Sequence, residues 1–296
     1  MFARPRKTVL PKARRPVLGA FVSVRCGYVA ALMVCALSIG SACDRATRTC
    51  EQVGVCDEPA KPAELVDLVC DASQWSSCNA TTLPKTLDIA LQRLADRPGS
   101  RIRLWFLGET AANTSIVGEQ TIAPIPRGNE RARKAKLAAI LSTAKEMLLA
   151  GARERLEAPP VRRSPLAEAI AKIALAESGG LPRRLILVTD AREVTSDNDF
   201  ECRLLPSDAQ FLAALRRRSI FLPGQLAGID VSLTYVVTSP AAGRGCPITL
   251  ERDMRVRALW KSALTAANAS HVRITSGPVD FADTNEPPAP IDGGLK

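Results

Sequence analysis

The stretch LVDLVCDASQWSSC, residues 65–78, sets the frame for the whole chain. An apolar run ends in Asp71, and hydroxyls come after it at Ser73, Ser76 and Ser77. A buried strand that stops at such a turn belongs at the carboxyl edge of an α/β sheet, where these folds bind their ligands. Beyond it the chain alternates helix and strand. LPKTLDIALQRLAD places Leu83, Leu87, Leu91 and Leu94 on one helical face, and RPGS closes it. RIRLWFL predicts a second strand, and TSIVGEQTI a third, antiparallel to the second. NERARKAKLAAILSTAKEMLLAGARERL predicts a long helix with an apolar stripe at Leu137, Leu141, Ala144 and Leu148.

The second half keeps the rhythm. SPLAEAIAKIALAESGG reads as a helix, with Ser164 as N-cap, Pro165 in the first turn and Gly179 and Gly180 at its end. RRLILVTD is a continuous apolar strand of the kind buried on both faces of a parallel sheet, and it ends at Asp190. PSDAQFLAALRRR predicts a helix, IDVSLTYVV a strand, and DMRVRALWKSALTAANAS a helix with Val256, Leu259, Trp260, Ala263 and Ala267 aligned. HVRIT is a last strand. The expected fold is α/β and Rossmann-like: a doubly wound, mostly parallel sheet with helices on both faces and one antiparallel edge strand. It spans residues 64–276, within a chain of 296 residues that is 46% hydrophobic.

The flanks differ from this core. Residues 1–42 carry seven of the basic residues and no acid, then the apolar run GYVAALMVCALSIGSAC. That pattern reads as a signal peptide, cleaved after Ala42 or processed so that Cys43 is lipidated. The second route resembles bacterial lipoproteins, although Gly40 stands where that family prefers Leu. Residues 43–63 read as a cysteine-containing tether, and residues 277–296 as a disordered tail. The expected location is the periplasm, with membrane contact only through the signal or a lipid anchor. The net charge is +10, but without the seven leader charges it falls to +3, and no aromatic-interleaved basic stripe remains. Nucleic-acid binding is therefore not expected. If Cys43 is lipidated, six cysteines remain beyond the leader, and the expected disulfides are Cys50–Cys56, Cys70–Cys78 and Cys202–Cys246.

Three features fall at one sheet edge: Asp71 with its hydroxyls, Ser164 at a helix start, and Asp190 after a strand. Two carboxylates and several hydroxyls suit a hard divalent cation. In order and spacing they resemble the metal-ion-dependent adhesion site of the von Willebrand factor A family. DASQWS matches the first aspartate and serine, but Trp75 stands at the second serine and Ser76 comes one residue late. SPLAEAI resembles the family's Thr-Pro-Leu helix start. LILVTDAREVTSD resembles its third loop, with Ala191 where glycine is usual. The resemblance covers about 210 residues. It implies Mg²⁺ or Mn²⁺ held by Asp71, Ser73, Ser76, Ser164 and Asp190, and a protein partner that places an acidic residue on the ion.

The alternatives are a degenerate domain of the same fold that serves in envelope assembly without metal, and a metal-assisted hydrolase using Asp71 and Asp190. No G-x-S-x-G, Walker loop or G-x-G-x-x-G occurs, and no catalysis is expected. The run DAREVTSDNDFE lacks the glycine and register of a calcium loop and reads as a solvated acidic loop.

Overall fold

The structure, a computed structural model, describes residues 61–73, 76, 78–125, 129–195, 200, 203–235 and 249–276. The expected leader and the expected tether as far as residue 60, with Cys43, Cys50 and Cys56, lie outside these residues, as do Trp75, Ser77, Cys202, Cys246 and the tail from 277. The chain divides between Glu58 and Pro59, and the described residues all belong to the second unit.

Among the described residues six strands form one sheet: β1 (Leu65–Cys70), β2 (Arg101–Phe106), β3 (Ser115–Thr121), β4 (Arg183–Val188), β5 (Ile229–Tyr235) and β6 (His271–Ser276). Their order is β3-β2-β1-β4-β5-β6. All neighbours are parallel except β2 and β3, which run antiparallel. The helices are α1 (Leu83–Arg93), α2 (Glu130–Glu157), α3 (Leu166–Ala174), α4 (Asp208–Arg217) and α5 (Leu250–Ala266). This is the doubly wound α/β sheet with one antiparallel edge strand that the sequence predicts. Among the described residues no helix is long and apolar enough to cross a membrane.

Alternation along the strands divides the core into two layers. Val66, Leu68 and Cys70 of β1 and Ile186 and Val188 of β4 pack under α1 and α2, against Leu87, Leu91 and Leu148. Val69, Leu185 and Leu187 face the other way, into a layer closed by α3, α4 and α5 through Ile170, Phe211 and Trp260. Trp260 is fully buried, with Phe200, Phe211 and Phe221 around it at centroid distances of 6.4, 5.9 and 6.4 Å. Burying one such large side chain contributes roughly 1.5–3 kcal/mol.

Two details depart from local expectation. The stripe predicted for α2 starts at Leu137, but the buried residues are Ala144, Leu148 and Ala152, and Leu137 is half-exposed. Only the later turns of this 28-residue helix lie on the sheet. They lie there closely, because a Cβ on Gly151 would fall 2.2 Å from the Val117 carbonyl oxygen. The centre of β1 also holds a charge. Asp67 is fully buried, accepting from Arg183 Nε at 2.6 Å and Trp105 Nε1 at 2.7 Å. Arg183 goes on to donate to the carbonyls of Ala174 and Ala176, each at 2.9 Å, and so closes the end of α3.

Candidate functional site

In this strand order the chain leaves β1 toward β2, then returns to the other side of β1 as β4. The crevice between the carboxyl ends of β1 and β4 is therefore the topological switch point, where such sheets bind ligands. Register places the candidate residues there. Cys70 pairs with Val188, and the Asp71 N–H continues the ladder to the Val188 carbonyl at 3.0 Å. Asp71 and Thr189 thus leave the sheet side by side.

Asp71 is fully buried, and its carboxylate is the hub of the site. Oδ1 accepts the Ser73 N–H at 3.0 Å. Oδ2 accepts the Ser164 hydroxyl at 3.0 Å and the Thr189 hydroxyl at 2.6 Å. Residues distant in sequence are locked to the same loop. The Val161 N–H donates to the Ala72 carbonyl at 3.2 Å, and the Val194 N–H to the Ser164 carbonyl at 3.1 Å. Between these anchors Arg162 and Arg163 are exposed. The loop after β1 is closed by the expected Cys70–Cys78 disulfide, with Cα atoms 5.4 Å apart.

Four expectations change in detail. Ser164 is not the cap of α3: Pro165 holds that position, no side chain of the capping residue bonds the helix, and the Ser164 hydroxyl is spent on Asp71. The cap comes from Glu193, whose Oε2 accepts the Ala167 N–H at 3.0 Å. Nor is the loop after Asp190 wholly solvated, because Glu193 is 0% exposed. Ser76 is not brought onto Asp71, since its hydroxyl accepts the Cys78 N–H at 3.1 Å. Asp190 lies at the same edge but is turned along its own loop. Its Oδ1 accepts the Arg192 N–H at 3.0 Å, and Oδ2 stands 4.0 Å from Arg192 Nε. Ala191, at the position where the resemblance implies glycine, adopts φ of 59°. Its strained backbone is held by Trp260, which donates to the Ala191 carbonyl at 2.9 Å.

The electrostatics are set by burial. Burial pushes the Asp71 carboxyl up from its ordinary value, against the hydrogen bonds from Thr189, the Ser73 backbone and Ser164. Burial also pushes Glu193 up to about 8; the backbone N–H groups of Ala167 and Leu166 oppose this, and the charge of Asp71 adds to it. Two atoms here lack any hydrogen-bond partner among the described residues: Ser73 Oγ and Glu193 Oε1. The Ser73 hydroxyl lies near enough to Asp71 to favour its charge, but hydrogen-bonding geometry is reached with nothing. Each such orphan costs roughly 1–3 kcal/mol.

These orphans allow a test of the implied metal. Asp71 Oδ1 accepts one hydrogen bond and retains a lone pair. That lone pair, the Ser73 hydroxyl and Glu193 Oε1 are hard oxygens, of the type that Mg²⁺ and Mn²⁺ take. In chemical type these donors suit a divalent cation, although among the described residues no three His, Cys, Asp or Glu side chains converge. Sequence reasoning passed over Thr189 and Glu193. Thr189 had a signal, since it directly precedes the candidate Asp190 at the end of an apolar strand. Glu193 is one acid of a run that reads as solvated rather than as a calcium loop, and nothing local singles it out from its neighbours.

Compared with known proteins, the chain matches no protein-family model, and no curated protein matches it in sequence.

Proposed function

We propose that this chain is an exported protein-binding module resembling the von Willebrand factor A domain, with a Mg²⁺ or Mn²⁺ ion at the carboxyl edge between β1 and β4. Asp71, Ser73 and Ser164 are its core, and Thr189 buttresses Asp71 from the neighbouring strand. The ion presents itself to a carboxylate of a partner protein. The observation that carries this is the Asp71 hub: three loops converge on one buried carboxylate, beside a serine hydroxyl that has no partner among the described residues. Exposed Arg162 and Arg163, in the segment anchored to the site at Val161 and Ser164, favour an acidic partner. Export is supported by the basic–apolar leader and by the Cys70–Cys78 disulfide, a bond that persists in oxidising compartments. No catalysis is proposed.

The test is isothermal calorimetry of the purified chain, disulfides intact, titrated with Mn²⁺ beside Asp71→Asn. Saturable one-site binding that disappears in Asp71→Asn is expected. A folded wild-type protein that takes up no Mn²⁺ would sink the cation reading. It would leave a metal-free module of envelope assembly, for which the two hydroxyls already on Asp71 Oδ2 would be the favouring observation.

A further inference from the structure

The pattern of residues nominates Asp190 as the second acid of the cation site, but the side chains say otherwise. Asp190 is turned along its own loop, with Arg192 N–H on one oxygen and the Arg192 guanidinium near the other. Three residues later Glu193 is fully buried, and the next residue, Val194, donates its N–H to the carbonyl of Ser164, whose hydroxyl is on Asp71. Its two oxygens are treated unequally. Oε2 is held by the first turn of α3 through Ala167, and Oε1 has no partner among the described residues. A helix cap needs only one oxygen. Nothing in the cap explains why a whole carboxylate is buried beside a second one, since a serine or asparagine caps at lower desolvation cost.

We infer that Glu193 is the second acidic ligand of the site, binding the divalent ion through Oε1 while Oε2 remains on α3. This rests on the cation reading above and changes which residue completes it. Asp71 and Glu193 then bring two negative charges to a dication, giving a neutral centre. That removes the cost of burying either acid alone. Ser73 Oγ, the other orphan, supplies a neutral donor. Asp190, neutralised by Arg192, keeps its loop in shape and does not bear on the ion directly. Because Glu193 also caps α3, the ion is coupled to the start of that helix.

The experiment compares Mn²⁺ affinity of the intact chain by calorimetry, and the rise in melting temperature with Mn²⁺, in wild type, Glu193→Gln, Glu193→Ala and Asp190→Asn. Glu193→Gln keeps an acceptor for the Ala167 N–H, so its helix cap survives. The expected result is a loss of affinity of about tenfold or more, with most of the thermal shift gone, in both Glu193 variants. Asp190→Asn is expected to stay within about threefold of wild type. Wild-type binding that Glu193→Gln and Glu193→Ala leave intact would overturn this inference and spare the cation reading. Loss in Asp190→Asn with retention in the Glu193 variants would overturn it too, returning the role to Asp190. Absence of Mn²⁺ binding in the wild type would overturn both.

Discussion

Replacing Glu193 by Gln in the metal-free protein tests the burial of that acid directly. Folding raises the Glu193 carboxyl from 4.5 to about 8. Its folded value is above its unfolded one, so the stabilisation is complete below about pH 4.5 and is lost as pH rises toward 8. Between those limits the unfolded chain gives up the proton first. At roughly 1.4 kcal/mol per pH unit the loss reaches about 5 kcal/mol, an upper figure because water reaches buried acids as they ionise. That is a large part of the 5–15 kcal/mol typical of a whole domain. Asp71 is raised in the same direction and adds to the slope. Gln has no proton to lose. Glu193→Gln should therefore match wild type near pH 4.5 within about 1 kcal/mol and exceed it by several kcal/mol at pH 8. The assay is guanidinium unfolding at pH 4.5, 6 and 8, in chelator and without reductant. Equal wild-type stability at pH 4.5 and pH 8 would refute the reasoning, as would a variant whose pH slope equals that of wild type.

Two further outcomes concern the frame that carries the site. Arg183→Met strands Asp67 without its cation in the centre of β1 and should cost about 3–5 kcal/mol in urea unfolding, whereas Asp67→Leu/Arg183→Met should recover only part of it, since the α3 carbonyls and Trp105 Nε1 then lose their partners. Gly151→Ala puts a Cβ against the Val117 carbonyl, so α2 must shift off β3; a loss of about 1–3 kcal/mol is expected, read as a lower melting temperature.

The alternation of strands and helices was open to sequence reading because each element carries its own period. β1 and the start of β2 fall where the apolar runs place them, and β3 is antiparallel as its short connection suggests. What escaped depends on neighbours. Whether Ser164 caps its helix or bonds Asp71 is decided by a loop 93 residues earlier in the chain. The acid at 193 is surrounded in sequence by other acids, and only the packing of its loop against α3 shows that it is buried. Asp67 is tolerable in an apolar strand because β4 lies beside β1 and delivers Arg183, an adjacency no local pattern encodes. Leu137 joined an apolar stripe on paper and met no sheet beneath it.

The unsupported turns of α2 have a dynamic side. A helix of 28 residues is about 42 Å long, while a seven-residue strand such as β3 covers roughly 23 Å. The turns from Glu130 onward are mostly exposed and rich in Ala, Lys and Arg, so they hold together by helix propensity, the Asn129 cap and the Glu130–Lys134 pair. Eleven or so residues of that kind do not form a lasting helix in isolation, because nucleation is costly. Here the packed turns around Leu148 serve as a permanent nucleus, and the overhang winds out from them one residue at a time. Amide exchange along α2 should therefore show a gradient. Protection should be strongest near Ala144–Ala152 and fall smoothly toward Glu130, where amides open on the timescale of helix fraying while the domain stays folded.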